Sequence, residues 1–144
     1  MPRNRGTVTT LIAALSAVGM TAAMTIEGAT TAAVFDVYVE RVLVPTLVAG
    51  QIVVADNVAA HKSARGRRLI EAAGCQVVFL PAYSPDLNPI EEAFAKIKAL
   101  LRSLAARTRE ALDTAIAAAM AAVTATDAAG WFAHAGYPLS HQPA

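Results

Sequence analysis

The sequence predicts an α/β fold, and three stretches carry that reading. Gln51–Ala55 and Gln76–Leu80 are short, β-branched and apolar on both faces, the pattern of strands covered on both sides. Between them lies a helix-length segment from Ser63 to Ala73. Strand, helix, strand in that order implies a right-handed crossover and parallel pairing. Near the start, Val8–Val18 and Met20–Glu27 read as two strands that turn at Gly19. At 144 residues the chain fits one domain with room for a core.

The N-terminal run needs weighing first. Residues 6–26 carry no charge and follow Arg3 and Arg5, as a secretory signal or a short membrane anchor would. Six Thr or Ser residues make the run only moderately apolar, and Gly19 splits it. A buried hairpin is therefore the expectation, with no membrane partner. A small secreted or anchored protein ranks third among the functional readings. Cys75 is the single cysteine, so an internal disulfide is excluded and a thiolate metal site lacks ligands. A half-buried small side chain in a reducing cytoplasm is expected for it.

After Gly28, Thr30 or Thr31 is placed to cap a helix from Ala33 to about Leu47. Val34, Val37, Tyr38, Val42 and Val44 form its expected apolar face, with Asp36 at the surface. Pro45 ends or bends its last turn. In the next helix Leu69, Ile70 and Ala73 should face the sheet, with Lys62, Arg65 and Arg68 opposite. Gly74 stops it. Residues 81–89 form a Pro-rich loop with two turn signals, Ser84-Pro85-Asp86 and Asn88-Pro89.

Asn88 and Pro89 suit the start of a third helix reaching about Leu104. Ile90, Ala93, Phe94, Ile97, Leu100, Leu101 and Leu104 make its apolar stripe, while Glu91, Lys98 and Arg102 share a flank. Glu92 stands four before Lys96, the spacing of an exposed helix ion pair. An Ala-rich helix covers about Thr108 to Val123. The aromatic stretch from Gly130 to Pro138 is expected to pack back as a cap, and residues 139–144 to form a loose tail.

Charge is unevenly spread. Residues 57–109 hold nine basic and four acidic side chains, against a net of +1 for the whole chain. A positive middle suits a phosphate backbone, as it suits an ordinary solvated face. Within it Asp56 follows an apolar run, and 34 residues separate it from Glu91 in the first turn of a helix. Ligands gather at the carboxyl ends of parallel strands, and a helix N-terminus favours an ionised acid. Two hard oxygen ligands on neighbouring elements suit a divalent cation that serves phosphoryl transfer.

Asp56-Asn57 with His61, followed by Leu80-Pro81-Ala82-Tyr83-Ser84-Pro85-Asp86-Leu87-Asn88-Pro89-Ile90-Glu91 and Lys96-Ile97-Lys98, resembles the DDE transposases of the mariner-like superfamily, in their bacterial insertion-sequence branch. The spacing of the two acids also matches that group. The resemblance implies a ribonuclease H-like fold, a mixed sheet with helices on both faces. It implies Mg²⁺ or Mn²⁺ and DNA cleavage and strand transfer during transposition. It makes Asp56 the second catalytic acid and Glu91 the third, both metal ligands. Asn57 and His61 would orient Asp56 or a phosphate. Lys62, Arg65, Lys98 and Arg102 would hold DNA phosphates.

The resemblance has a gap. The family's first catalytic Asp sits on the first strand of the fold, and nothing before Glu27 is acidic. Residues 1–138 therefore read as a truncated DDE catalytic domain that lacks its first strand. It would be inactive alone, and an upstream transposase fragment would complete it. The open sheet edge also suits a homodimer. The alternative is a non-catalytic nucleic-acid-binding or regulatory module of the same fold.

Overall fold

A computed structural model describes residues 9–56, 59–81, 88–105 and 107–137. The expected roles of Asn57, the Ser84-Pro85-Asp86 turn and the tail 139–144 lie outside the described residues. Two compact units are resolved. The first joins residues 1–14 to 22–84, and the second joins 15–21 to 85–144.

Strands β1 (Thr9–Ser16) and β2 (Gly19–Glu27) form the expected hairpin, whose tip, residues 15–21, is assigned to the second unit and the rest to the first. Its turn falls at Ala17 and Val18, one residue earlier than the sequence suggests, because Gly19 already belongs to β2. Thr31 caps α1 (Ala32–Tyr38), accepting from the Val34 N–H at 3.2 Å. The helix then widens into a π segment (Val39–Leu43) and tightens into a 3₁₀ turn (Val44–Thr46) that contains Pro45. The expected apolar face holds at Tyr38, Val42 and Val44 and is corrected at Val37. Phe35, Tyr38, Val39 and Leu43 are buried, whereas Val37 is 47% exposed. Of the expected face only Val37 turns outward, since Val42 and Val44 pack against the same core cluster, and Phe35, Val39 and Leu43 join it. Asp36 is also corrected. It is half-buried, and its Oδ1 is buried with no hydrogen-bond partner among the described residues.

Strand β3 (Ile52–Ala55) pairs in parallel with β4 (Gln76–Phe79), in register Ile52↔Gln76 through Ala55↔Phe79. Helix α2 (Ala64–Ala72) makes the crossover, capped by Ser63, whose Oγ accepts from the Gly66 N–H at 3.2 Å. Gly74 ends it at φ +83°, and a Cβ there would stand 2.9 Å from Ala49 Cβ. Leu69, Ile70 and Ala73 turn inward as expected. Cys75 is fully buried rather than half-buried, and its thiol donates to the Val48 carbonyl at 3.2 Å. The expectation of strands covered on both faces fails. Val53 and Val77 pack on the core, but Ile52 and Val78 on the other face are 59% and 44% exposed. Each strand has one partner among the described residues, because β1–β2 and β3–β4 form separate two-stranded sheets.

The second unit holds α3 (Ile90–Leu104), α4 (Arg109–Ala121) and α5 (Ala125–His134). Asn88 Oδ1 accepts from the Ile90 N–H at 3.3 Å, so it caps α3 as its sequence predicts. Ala93 and Ile97 are its most buried residues, whereas Leu104 is 52% exposed and leaves the stripe. Burying a side chain the size of Ile97 is worth roughly 1.5–3 kcal/mol. Thr108 caps α4, accepting from the Ala111 N–H at 3.0 Å. Much of the aromatic stretch expected to pack back as a cap belongs to helix α5. Thr124 and Asp127 form a reciprocal capping box at its start. Among the described residues no single helix is long and apolar enough to cross a membrane. Only α4 and α5 taken together reach that length and composition, and they bend by 70°.

Candidate functional site

Asp56 is the residue directly after β3, at the carboxyl end of the parallel pair. The Leu80 N–H donates to the Ala55 carbonyl at 2.9 Å, carrying the ladder to that edge. Asp56 is half-buried there. The placement follows from the sequence, since the β-branched run Ile52-Val53-Val54 favours an extended chain and the polar Asp56 closes it.

His61 sits on a 3₁₀ turn (Ala59–Lys62) that follows the strand. Its ring stacks on Phe35, with centroids 4.7 Å apart and planes at 28°. Burial lowers the His61 pKa, while the nearby Asp56 backbone and carboxylate act in the opposite direction. The Asp56 backbone is thus close, yet His61 Nδ1 is buried without a hydrogen bond of proper geometry among the described residues. Asp56 and His61 are therefore brought together within the first unit. The Tyr38 phenol, pushed up by burial, is a further buried polar group of this unit without a partner among the described residues.

The basic residues expected along α2 fare differently. Lys62 is exposed. Arg65 donates to Glu40 at 3.2 Å, but both side chains are about half exposed, so the pair is weak and remains open to competition. Arg67, which sequence reasoning passed over, lies with its guanidinium carbon 5.5 Å from the centroid of the Phe79 ring. No sequence signal marks this contact beyond a basic residue on a helix that precedes an aromatic strand residue.

Glu91 belongs to the second unit. It stands exposed in the first turn of α3, where its N–H donates to the Asn88 carbonyl at 3.1 Å. The helix dipole favours its ionised form. Glu91 and Glu92 line a cleft of about 230 Å³ with Asn88, Pro89, Trp131, His134 and Ala135. Glu92 does not pair with Lys96 as its spacing suggests. It lies 3.7 Å from His134 Nδ1, while Lys96 holds Asp127 at 2.6 Å. Lys98 and Arg102 are exposed on α3.

Asp56 and Glu91 thus occupy different units, and each is set by its own local structure. Among the described residues no cluster of three His, Cys, Asp or Glu side chains has the arrangement of a metal site. Asp56 and Glu91 each still present hard carboxylate oxygens, the donor type that Mg²⁺ and Mn²⁺ take. A model of the DDE superfamily endonucleases matches residues 1–113. Among curated proteins none is significantly similar to the chain. The match spans β1 to the first turn of α4 and includes both acids, so the chain belongs to the DDE superfamily endonuclease family.

Proposed function

We propose that the chain is a catalytic-core portion of a mariner-like transposase of the bacterial insertion-sequence branch, with Asp56 and Glu91 as its metal-binding acids. The observation that carries this reading is the position of Asp56. It stands at the carboxyl edge of a parallel strand pair, inside the span shared with DDE endonucleases. In this reading Asp56 and Glu91 hold Mg²⁺ or Mn²⁺. The ion, when bound, supplies the charge that activates a water or 3′-hydroxyl against a phosphodiester. Asn57 and His61 orient the Asp56 carboxylate. Lys62, Arg65, Lys98 and Arg102 hold the backbone of the transposon end, positioning it without reading its sequence. A cytoplasmic location belongs to the same reading and agrees with a buried free thiol at Cys75.

The chain alone lacks strand-transfer activity in this proposal, because two carboxylates leave the metal geometry incomplete. A further strand, carrying the remaining Asp on an upstream fragment, would complete a ribonuclease H-like sheet. Support comes from the two strand pairs. Ile12 and Met24 of the hairpin and Val53 and Val77 of the parallel pair pack on one core cluster, yet among the described residues the pairs share no ladder. The same open edges would accept a second copy of the chain.

The test is Mg²⁺-dependent cleavage of duplex DNA by the chain alone and with an added polypeptide that supplies a strand ending in Asp. No cleavage is expected alone. Cleavage is expected on addition, and its loss in Asp56→Ala. Robust cleavage by the chain alone overturns the claim of inactivity. DNA binding without cleavage in either condition points instead to the non-catalytic binding module.

A further inference from the structure

We propose that Arg67, seated on the Phe79 ring, grips a backbone phosphate of the DNA strand that crosses the carboxyl edge of β3 and β4 beside Asp56; this rests on the nuclease reading above and adds a residue to it. Three features of the first unit support the assignment. The register pairs Phe79 with Ala55, the residue before Asp56, so Phe79 stands one strand spacing, about 4.8 Å, from the chain that delivers the acid. Side chains alternate along a strand, and Val77 packs on the core with Ile70 of α2. Phe79, two residues on, therefore turns its ring to the same helix, and the Arg67 guanidinium lies over it at 5.5 Å.

The charge is available as well as placed. Glu71 is 3.8 Å from Arg67, beyond hydrogen-bond length, and the two side chains are 46% and 51% exposed. An exposed pair of that length holds its partners weakly. Attraction to an aromatic face restrains the guanidinium while its N–H groups remain able to donate. A planar fork held in that way matches two phosphate oxygens, and less side-chain freedom is lost on binding. A lysine at the same position would supply a point charge without the fork.

The test is fluorescence anisotropy of a labelled random-sequence DNA duplex titrated with the full chain over a series of salt concentrations. Wild type should show affinity falling linearly with log salt. Arg67→Gln should weaken binding at each salt and make the slope shallower by about 0.9, the value for one lost phosphate contact. Arg67→Lys and Phe79→Leu should keep the wild-type slope but bind several-fold more weakly, because the charge remains while the fork or its platform is gone. Glu71→Gln should bind at least as tightly as wild type, which separates phosphate contact from a helix ion pair. A wild-type slope in Arg67→Gln overturns the assignment and leaves the nuclease reading intact. A wild-type chain whose duplex binding shows no salt dependence overturns both.

Discussion

At the scale of single residues, Lys96 shows how a spacing rule yields to a better partner. An exposed Glu92–Lys96 pair on one helix is worth only about 0.3–0.5 kcal/mol. Lys96 instead donates to the Ala122 carbonyl at 2.9 Å and to Asp127 at 2.6 Å. It thereby meets the negative end of α4 and the acid that caps α5. The Lys96 hydrogen bond, followed by the Thr124 N–H, holds the Asp127 carboxyl below its ordinary value. A carboxylate depressed in the folded state stabilises the fold above its unfolded pKa, and that stability is lost as pH falls through the lowered folded value. Wild type should therefore melt above Asp127→Asn at neutral pH. The gap between the two should close as the pH is brought down through the acidic range. Calorimetric scans at stepped pH measure it, and a gap that stays constant would show that the Lys96 contact does not govern Asp127.

At the scale of elements, the strongest local demands sit at turns and caps. Gly19 adopts φ +125°, and a Cβ there would come 2.9 Å from the Val123 carbonyl oxygen. Gly19→Ala should cost about 1–3 kcal/mol for the backbone conformation alone, read as a lower urea midpoint with unchanged slope. Thr124→Ala removes the side-chain acceptor of the α5 capping box and should cost about 1 kcal/mol. The legible elements were those whose ends carry such signals. Ser63 and Gly74 bracket α2, and the β-branched runs on either side gave β3, β4 and their parallel order. Helix α1 was legible as a helix and in part of its buried face, since Tyr38, Val42 and Val44 meet the core while Val37 does not. Helix α5 was hidden by Gly130 and the aromatic run, although Thr124 and Asp127 have the spacing of a capping box. The places of Asp56 and Glu91 could be read from the chain, since a strand end and a helix start are local features. Arg67 could not, because its platform lies twelve residues ahead and is met only once the crossover has formed.

At the scale of the whole molecule, the nuclease reading depends on one coupling between two distant stretches of chain. Asp56 closes a strand in the first unit, and Glu91 opens a helix in the second. A carboxylate pair that shares a divalent cation must titrate that cation as one site. A ligand that binds only the folded chain raises its stability by about 2.7 kcal/mol at a concentration 100 times Kd. Mn²⁺ should therefore raise the melting temperature of wild type in a saturable way. Asp56→Ala and Glu91→Ala should each abolish most of that rise, and the double variant should do no worse than either single one. Such non-additivity is the signature of residues that act on one ligand. Purely additive losses would mean two separate weak sites. An Mn²⁺ response retained in full by Glu91→Ala would remove that residue from the metal set while leaving Asp56 in place. Because each single substitution is polar-to-small at an incompletely buried position, the melting temperatures without metal should stay near wild type. The metal-dependent shift is then read against an unchanged fold.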